Sequence, residues 1–162
     1  MKVDAAYAWA HTREGVRAAR ALMDKPRMIE NRLVVCYARL DVLKDKLPPS
    51  YRLRPDPART GPGDKTGSLA ARIADLEREI EGLLQELLRV QAARKMLIND
   101  IPDQELRQAL TYMYLDGLTS VAAAGRMYIE ERQYFRKVQK GLSQVAMRMA
   151  MEETCADEEK MV

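Results

Sequence analysis

Residues 98–145 read INDIPDQELRQALTYMYLDGLTSVAAAGRMYIEERQYFRKVQKGLSQV, a run of short apolar stretches punctuated by capping and turn residues. Asp100 and Asp103 around Pro102 supply N-terminal capping and a proline tolerated in a first helical turn. Leu106, Leu110, Met113 and Tyr114 then mark one buried face, and Asp116-Gly117 ends that helix. Thr119 is placed to cap a short second helix through Val121, Ala122 and Ala123 to Arg126, whose small residues let a neighbour approach closely. A turn is expected near Met127 to Ile129, and a last helix from Glu130 or Glu131 onward. That helix sets Tyr134, Val138 and Leu142 four apart, on one buried stripe. Its opposite face is basic: Arg132, Arg136, Lys137, Lys140 and Arg148 occur between 132 and 148 without one acidic residue. Helix, turn, short helix, turn and longer helix is the order a helix-turn-helix requires, since its last helix exposes one face while two others support it.

Upstream, the apolar spacing changes to alternating four and three. Ile29, Leu33, Cys36, Leu40, Leu43 and Leu47 form one stripe. Leu69, Ile73, Leu76, Ile80, Leu83, Leu87 and Val90, continuing through Arg94 to Leu97 and Ile101, form a longer one with Ser68 at its N-cap position. Between them residues 48–67, PPSYRLRPDPARTGPGDKTG, hold five prolines and three glycines. Missing amide donors and glycine freedom block a helix there, so a loop joining an antiparallel, coiled-coil-like hairpin over residues 26–101 is expected. Arg52, Arg54, Arg59 and Lys65 make that loop basic, which fits a solvated loop or an auxiliary phosphate contact. The longer arm reaches roughly 45 to 50 Å at ~1.5 Å per residue, which the shorter arm does not cover. Leu84 and Leu88 widen its stripe beyond a two-helix seam, so a homo-oligomer, most simply a dimer, is expected.

Residues 1–25 read as a separate alanine-rich helix, ended by Pro26, that packs Tyr7 and Trp9 on the hairpin or on a partner subunit. Residues 102–150 form the C-terminal module. Residues 151–162 form an acidic tail carrying Glu152, Glu153, Asp157, Glu158 and Glu159, read as a solvated terminus or as a weak competitor for the basic helix. The fold class expected is all-α.

Composition narrows the function. The 162 residues are 47% hydrophobic and 31% charged, as in globular proteins, and the net charge of +3 means that a nucleic-acid site must rest on where the charge lies. No run of ~18 apolar residues and no basic-then-apolar N-terminus appears, so neither membrane anchor nor signal peptide is expected, and a cytoplasmic location follows by default. Cys36 and Cys155 form no CxxC and His11 is the one histidine, so a zinc site of the usual Cys/His kind cannot be assembled. His11 lies in the polar stretch AHTRE and reads as a surface histidine, so no Ser-His-Asp or Cys-His device and no metal are expected. Glu77, Glu79, Glu81 and Glu86 lie beside Arg72, Arg78 and Arg89, which reads as a salt-bridged solvent face. No enzyme activity, catalytic residue or cofactor is expected.

The C-terminal module resembles region four of bacterial sigma factors, and more closely the phage-encoded RinA/ArpU-type transcription regulators and a related phage family of unassigned function. The match runs through Ile98, Ile101 and Asp103, then Tyr114, Gly117 and Thr119, then Glu130, Arg132 and Phe135, closing on Gly141 and Leu142. With the upstream helix, polar loop and long helix, the similarity covers roughly residues 26–145. Ser120, Tyr128 and Glu130 stand where these families commonly hold tryptophan, glycine and serine. The resemblance implies a sequence-specific transcription regulator, phage or prophage encoded, that places helix 130–148 in the major groove of double-stranded DNA. Arg132, Gln133, Arg136 and Lys137 are expected to face the groove because they lie off the Tyr134 and Val138 stripe, with Arg126 and Lys140 on phosphates. Phe135 fits either the core or a thymine methyl. Two other readings stay open: a DNA-recognition component of phage packaging, and a helical scaffold that docks RNA polymerase without binding DNA.

Overall fold

The computed structural model describes residues 7–47 and 65–159, and no strand occurs among them. Helix α1 spans Arg13–Asp45, α2 Lys65–Asn99, α3 Gln104–Leu110, α4 Ser120–Arg126 and α5 Glu131–Glu159, with a π-helical turn, Thr111–Leu115, directly after α3. The all-α expectation holds. The described chain divides into two compact units, one of residues up to Lys25 with those from Val90 onward, the other Pro26–Arg89.

In the Pro26–Arg89 unit, Ile29, Leu33, Cys36 and Leu40 are buried on α1 and Ile73, Ile80 and Leu83 on α2, the residues marked by the four-three spacing. Ion pairs join the two helices, Arg32 Nη2 to Glu79 Oε1 at 2.6 Å and Lys44 Nζ to Glu77 Oε1 at 2.9 Å. All four side chains are substantially exposed, so solvent screens the pairs and the apolar stripe holds the helices together. Cys36 is buried as a free thiol.

The other unit has a single apolar core. Ala10, Ala19, Met23, Leu97, Ile98, Ile101, Leu106, Ala109, Leu110, Ala123, Ala124, Tyr134, Val138, Leu142, Val145 and Ala146 form it, with Trp9 partly buried against it. Trp9 therefore packs against the core shared by the C-terminal helices and the end of α2. Gly15 makes this possible: a Cβ there would lie 2.4 Å from the Trp9 carbonyl oxygen, so only glycine lets the 7–10 turn close on the first turn of α1. Thr12 caps α1 by accepting from the Gly15 amide at 3.1 Å.

Four boundaries differ from those read in the sequence. Pro26 does not end the first helix, since α1 runs through it. Its ring is fully buried, so packing outweighs the missing amide bond, while the Arg94 guanidinium donates to the Met23 carbonyl at 3.2 Å, one turn ahead of it. Helix α2 begins at Lys65, which places Ser68 inside the helix and not at its cap. Residues 48–64 of the expected loop lie outside the described residues. The last helix continues to Glu159, so the acidic segment extends α5 instead of fraying at 151, and the side chains of Glu153, Asp157, Glu158 and Glu159 lie outside the described residues, as does that of Cys155. Finally, Leu97, Ile98 and Ile101 belong to the core of the C-terminal unit.

Helices α3 and α4 both pack on α5. The fixed point is Tyr134, whose side chain is fully buried and whose hydroxyl donates to the Ala109 carbonyl at 2.9 Å. Burial, with a smaller contribution from Tyr114, pushes the Tyr134 phenol up to about 12. A folded-state value above the unfolded one, about 10, means that this stabilisation is complete below pH ~10 and is lost as pH rises toward 12. Tyr134→Phe is expected to lower the unfolding free energy by about 1 kcal/mol at neutral pH and to shrink the alkaline loss between pH ~10 and 12. Chemical denaturation across that range checks both. An unaltered alkaline slope in the variant would contradict the assignment.

Candidate nucleic-acid interface

The elements around α5 are set by local chemistry. Asp103 caps α3, accepting from the Glu105 and Leu106 amides at 2.9 and 3.2 Å. The π-helical turn follows, where the Thr111 hydroxyl donates to the Arg107 carbonyl at 2.9 Å, a side-chain insertion of the kind that loosens the α-helical ladder. The turn ends at Gly117, which takes a left-handed φ of 65°. Thr119 then caps α4 through the Ala122 amide at 3.3 Å. Asp103, Gly117 and Thr119 are signals read in the sequence; the π-helical turn is not, and Met113 and Tyr114, expected on the buried face, are only partly buried. The Ser120 hydroxyl reaches the Glu131 carboxylate and so ties the start of α4 to the start of α5. Glu131 thus has a structural use at a helix N-terminus, where a negative charge is favourable.

Between α4 and α5 the chain turns through residues 127–130. Tyr128 takes a φ of 55°, the one non-glycine residue in the left-handed region among those described, with 95% of its surface exposed. Backbone bonds from Tyr128 to Gly125 (3.2 Å) and from Ile129 to Ala124 (3.1 Å) hold the turn. A β-carbon in that conformation costs about 1 kcal/mol or more, and an exposed ring recovers none of it by packing. The tight turn therefore forms without glycine, at a cost that the cores of α4 and α5 offset.

On α5, Tyr134, Val138, Leu142, Val145 and Ala146 are buried. Gly141 is buried as well, and a Cβ there would meet Leu110 Cδ1 at 2.9 Å, which is how α5 comes close to the end of α3. With about 100° per residue, Arg132, Arg136 and Lys140 fall on the far side of the helix, and all three are exposed. Gln133 is exposed on one flank and Phe135, 44% exposed, on the other, its ring 6.1 Å from that of Tyr134 in an edge contact. Phe135 is thus divided between the core edge and solvent.

Two of the expected site residues have partners inside the protein. Lys137 is only partly exposed and forms an ion pair with Glu105 of α3. That pairing directs it along the α3 side of α5 and away from the face shared by Arg132, Arg136 and Lys140. Arg126, exposed at the end of α4, lies over the Tyr112 ring at 5.8 Å from its centroid, and the Tyr112 hydroxyl accepts from Gln108 at 2.8 Å. Such a cation–π contact restrains a guanidinium without neutralising it. Neither partner could be read locally: Glu105 lies 32 residues from Lys137, and Tyr112 belongs to the preceding helical turn.

The resulting face is a convex helix surface with three exposed cations, one amide side chain and one half-exposed aromatic. It can donate hydrogen bonds to base edges and phosphates, and it holds no pair of groups placed for acid–base or nucleophilic chemistry. No group of His, Cys, Asp and Glu suited to a metal ion occurs among the described residues. No helix of the described residues is long and apolar enough to cross a membrane. Compared with known proteins, the chain matches no family model, no curated protein and no solved structure.

Tyr128→Gly is expected to stabilise the protein by about 1 kcal/mol, a rise in Tm of ~2–4 °C for a chain of this size. Thermal unfolding of the two proteins measures it. A lower Tm in the glycine variant would show that the tyrosine ring is held by contacts worth more than the strain.

Proposed function

We propose that the protein is a sequence-specific double-stranded DNA-binding transcription regulator in which α4, the 127–130 turn and α5 act as a helix-turn-helix. The observation that carries this reading is the division of α5: one face is locked in the core through Tyr134, Val138 and Leu142, and the other presents Arg132, Arg136 and Lys140 to solvent. A helix of ~10–12 Å diameter with side chains fits the ~12 Å major groove, so a rigidly held, cation-bearing helix is the natural reader. Arg132, Gln133 and Arg136 are the base-reading residues in this account. Lys140 and Arg126 contact phosphates, and Lys137 stays with Glu105 in a supporting role. The resemblance to RinA/ArpU-type regulators and to sigma region four supports a phage or prophage setting, with RNA polymerase as a further partner.

The Pro26–Arg89 unit serves in this account as an antiparallel hairpin that pairs two copies. Support comes from its unpartnered apolar residues. Met28, Val35 and Val42, seven apart on α1, are 69%, 50% and 55% exposed, and Leu88 on α2 is 68% exposed. A second copy removes these from water, at about 25 cal/mol per Å² of apolar surface covered. A two-fold dimer also matches paired half-sites on DNA.

Arg132→Ala combined with Arg136→Ala is expected to abolish discrimination between operator and random duplex, while Lys140→Ala weakens every duplex alike and lowers the salt slope by about 0.9. Titration of labelled duplexes at several salt concentrations separates the two effects, and retained operator preference in the double variant would remove α5 as the reader. For the hairpin, light scattering is expected to give a dimer mass for the wild type and a monomer mass for Leu88→Glu with its helix content intact. A monomeric wild type at micromolar concentration would contradict pairing.

A further inference from the structure

Beside α5 lies a cleft of about 490 Å³ lined by His11, Thr12, Arg13, Val16, Arg17, Arg20 and Gln139. Arg13, Arg17 and Arg20 share one face of the first turns of α1 at i, i+4 and i+7. Arg20 faces the Tyr114 phenol, whose proton affinity is raised by burial and by Asp24 and lowered by Arg20. Arg13 and Arg17 are exposed and have no carboxylate partner among the described residues. Both stand in the first two turns of a long helix, at the positive end of its dipole, where cations are unfavourable and an anion is favoured.

We infer that Arg13 and Arg17 of this cleft bind DNA backbone phosphate alongside the groove occupied by α5, a contact that rests on the DNA-binding reading above. Gln139 fixes the geometry. It lines the cleft and lies one helical turn from Arg136, next to Lys140, on the flank of α5 opposite Lys137. A helix that fills the major groove is bordered on both sides by phosphate ridges, so a group beside α5 on the Gln139 flank meets one of them. The cations gain a partner that the free protein does not give them, and the duplex is gripped from the groove and from one edge. Arg13 and Arg17 thereby set register and affinity and carry no base preference.

The test uses the full chain and two double variants, the charge-removing Arg13→Ala with Arg17→Ala and the charge-keeping Arg13→Lys with Arg17→Lys. Both positions are exposed, and unchanged helix content and Tm confirm the fold. The alanine pair is expected to flatten the plot of log K against log salt by about 1.8, two phosphates at ~0.9 each, on operator and random duplex alike, and the lysine pair to restore most of the slope. An unchanged slope in the alanine pair, with wild type binding normally, overturns this contact and leaves the α5 reading standing. No duplex binding by the wild type at low salt overturns both. Inorganic pyrophosphate, titrated while amide shifts are followed, distinguishes the source. Saturable binding at Arg13 and Arg17, combined with an unchanged DNA slope, assigns the cleft to a small phosphate compound and overturns the backbone assignment.

Discussion

The structure of the C-terminal unit depends on the burial of one face of α5, with the Tyr134 hydroxyl bonded to the Ala109 carbonyl at its centre. A fully buried phenol needs a partner, and the available one is a main-chain carbonyl on α3. That single bond fixes the rotation of α5 about its own axis. Once Tyr134 points into the core, helical geometry sends Val138, Leu142 and Val145 inward and Arg132, Arg136 and Lys140 outward. The exposed cationic face is therefore a consequence of the core. Close approach at Gly141 removes the remaining freedom, because Leu110 occupies the space that a larger residue would need.

Charge placement follows the same logic. A net charge of +3 gives no general attraction for DNA, yet Arg132, Arg136 and Lys140 are collected on one side of α5. Two acids near that helix have partners inside the protein. Glu131 meets Ser120 and Glu105 meets Lys137, so neither carboxylate is spare on the face that carries Arg132 and Arg136. Tyr128 shows a different trade. Its left-handed conformation is a local cost of about 1 kcal/mol, sustained because the helices on either side are fixed by burial.

Much of this was legible from local chemistry. Asp103, Gly117 and Thr119 act as the capping and stopping residues that their types and positions indicated, and the Tyr134, Val138 and Leu142 spacing gave the buried face. What was hidden depends on contacts distant in sequence. Pro26 obeys a strong local rule, but its buried ring and the Arg94 contact 71 residues from Met23 override it. Trp9 joins a core whose other members lie mostly beyond residue 96. Lys137 looked like its neighbours until α3 brought Glu105 to it. The cleft of α1 with Gln139 has the same origin: two helical faces, each ordinary alone, that only the fold brings together.

The proposed role of α5 is to read duplex sequence. Selection from a random duplex library with the purified chain, carried out at two salt concentrations, tests it most directly. One recurrent motif is expected to be enriched at both concentrations, with total duplex retention falling at the higher salt as phosphate contacts weaken. Retention without enrichment of any motif, or no retention even at the lower salt, would contradict it.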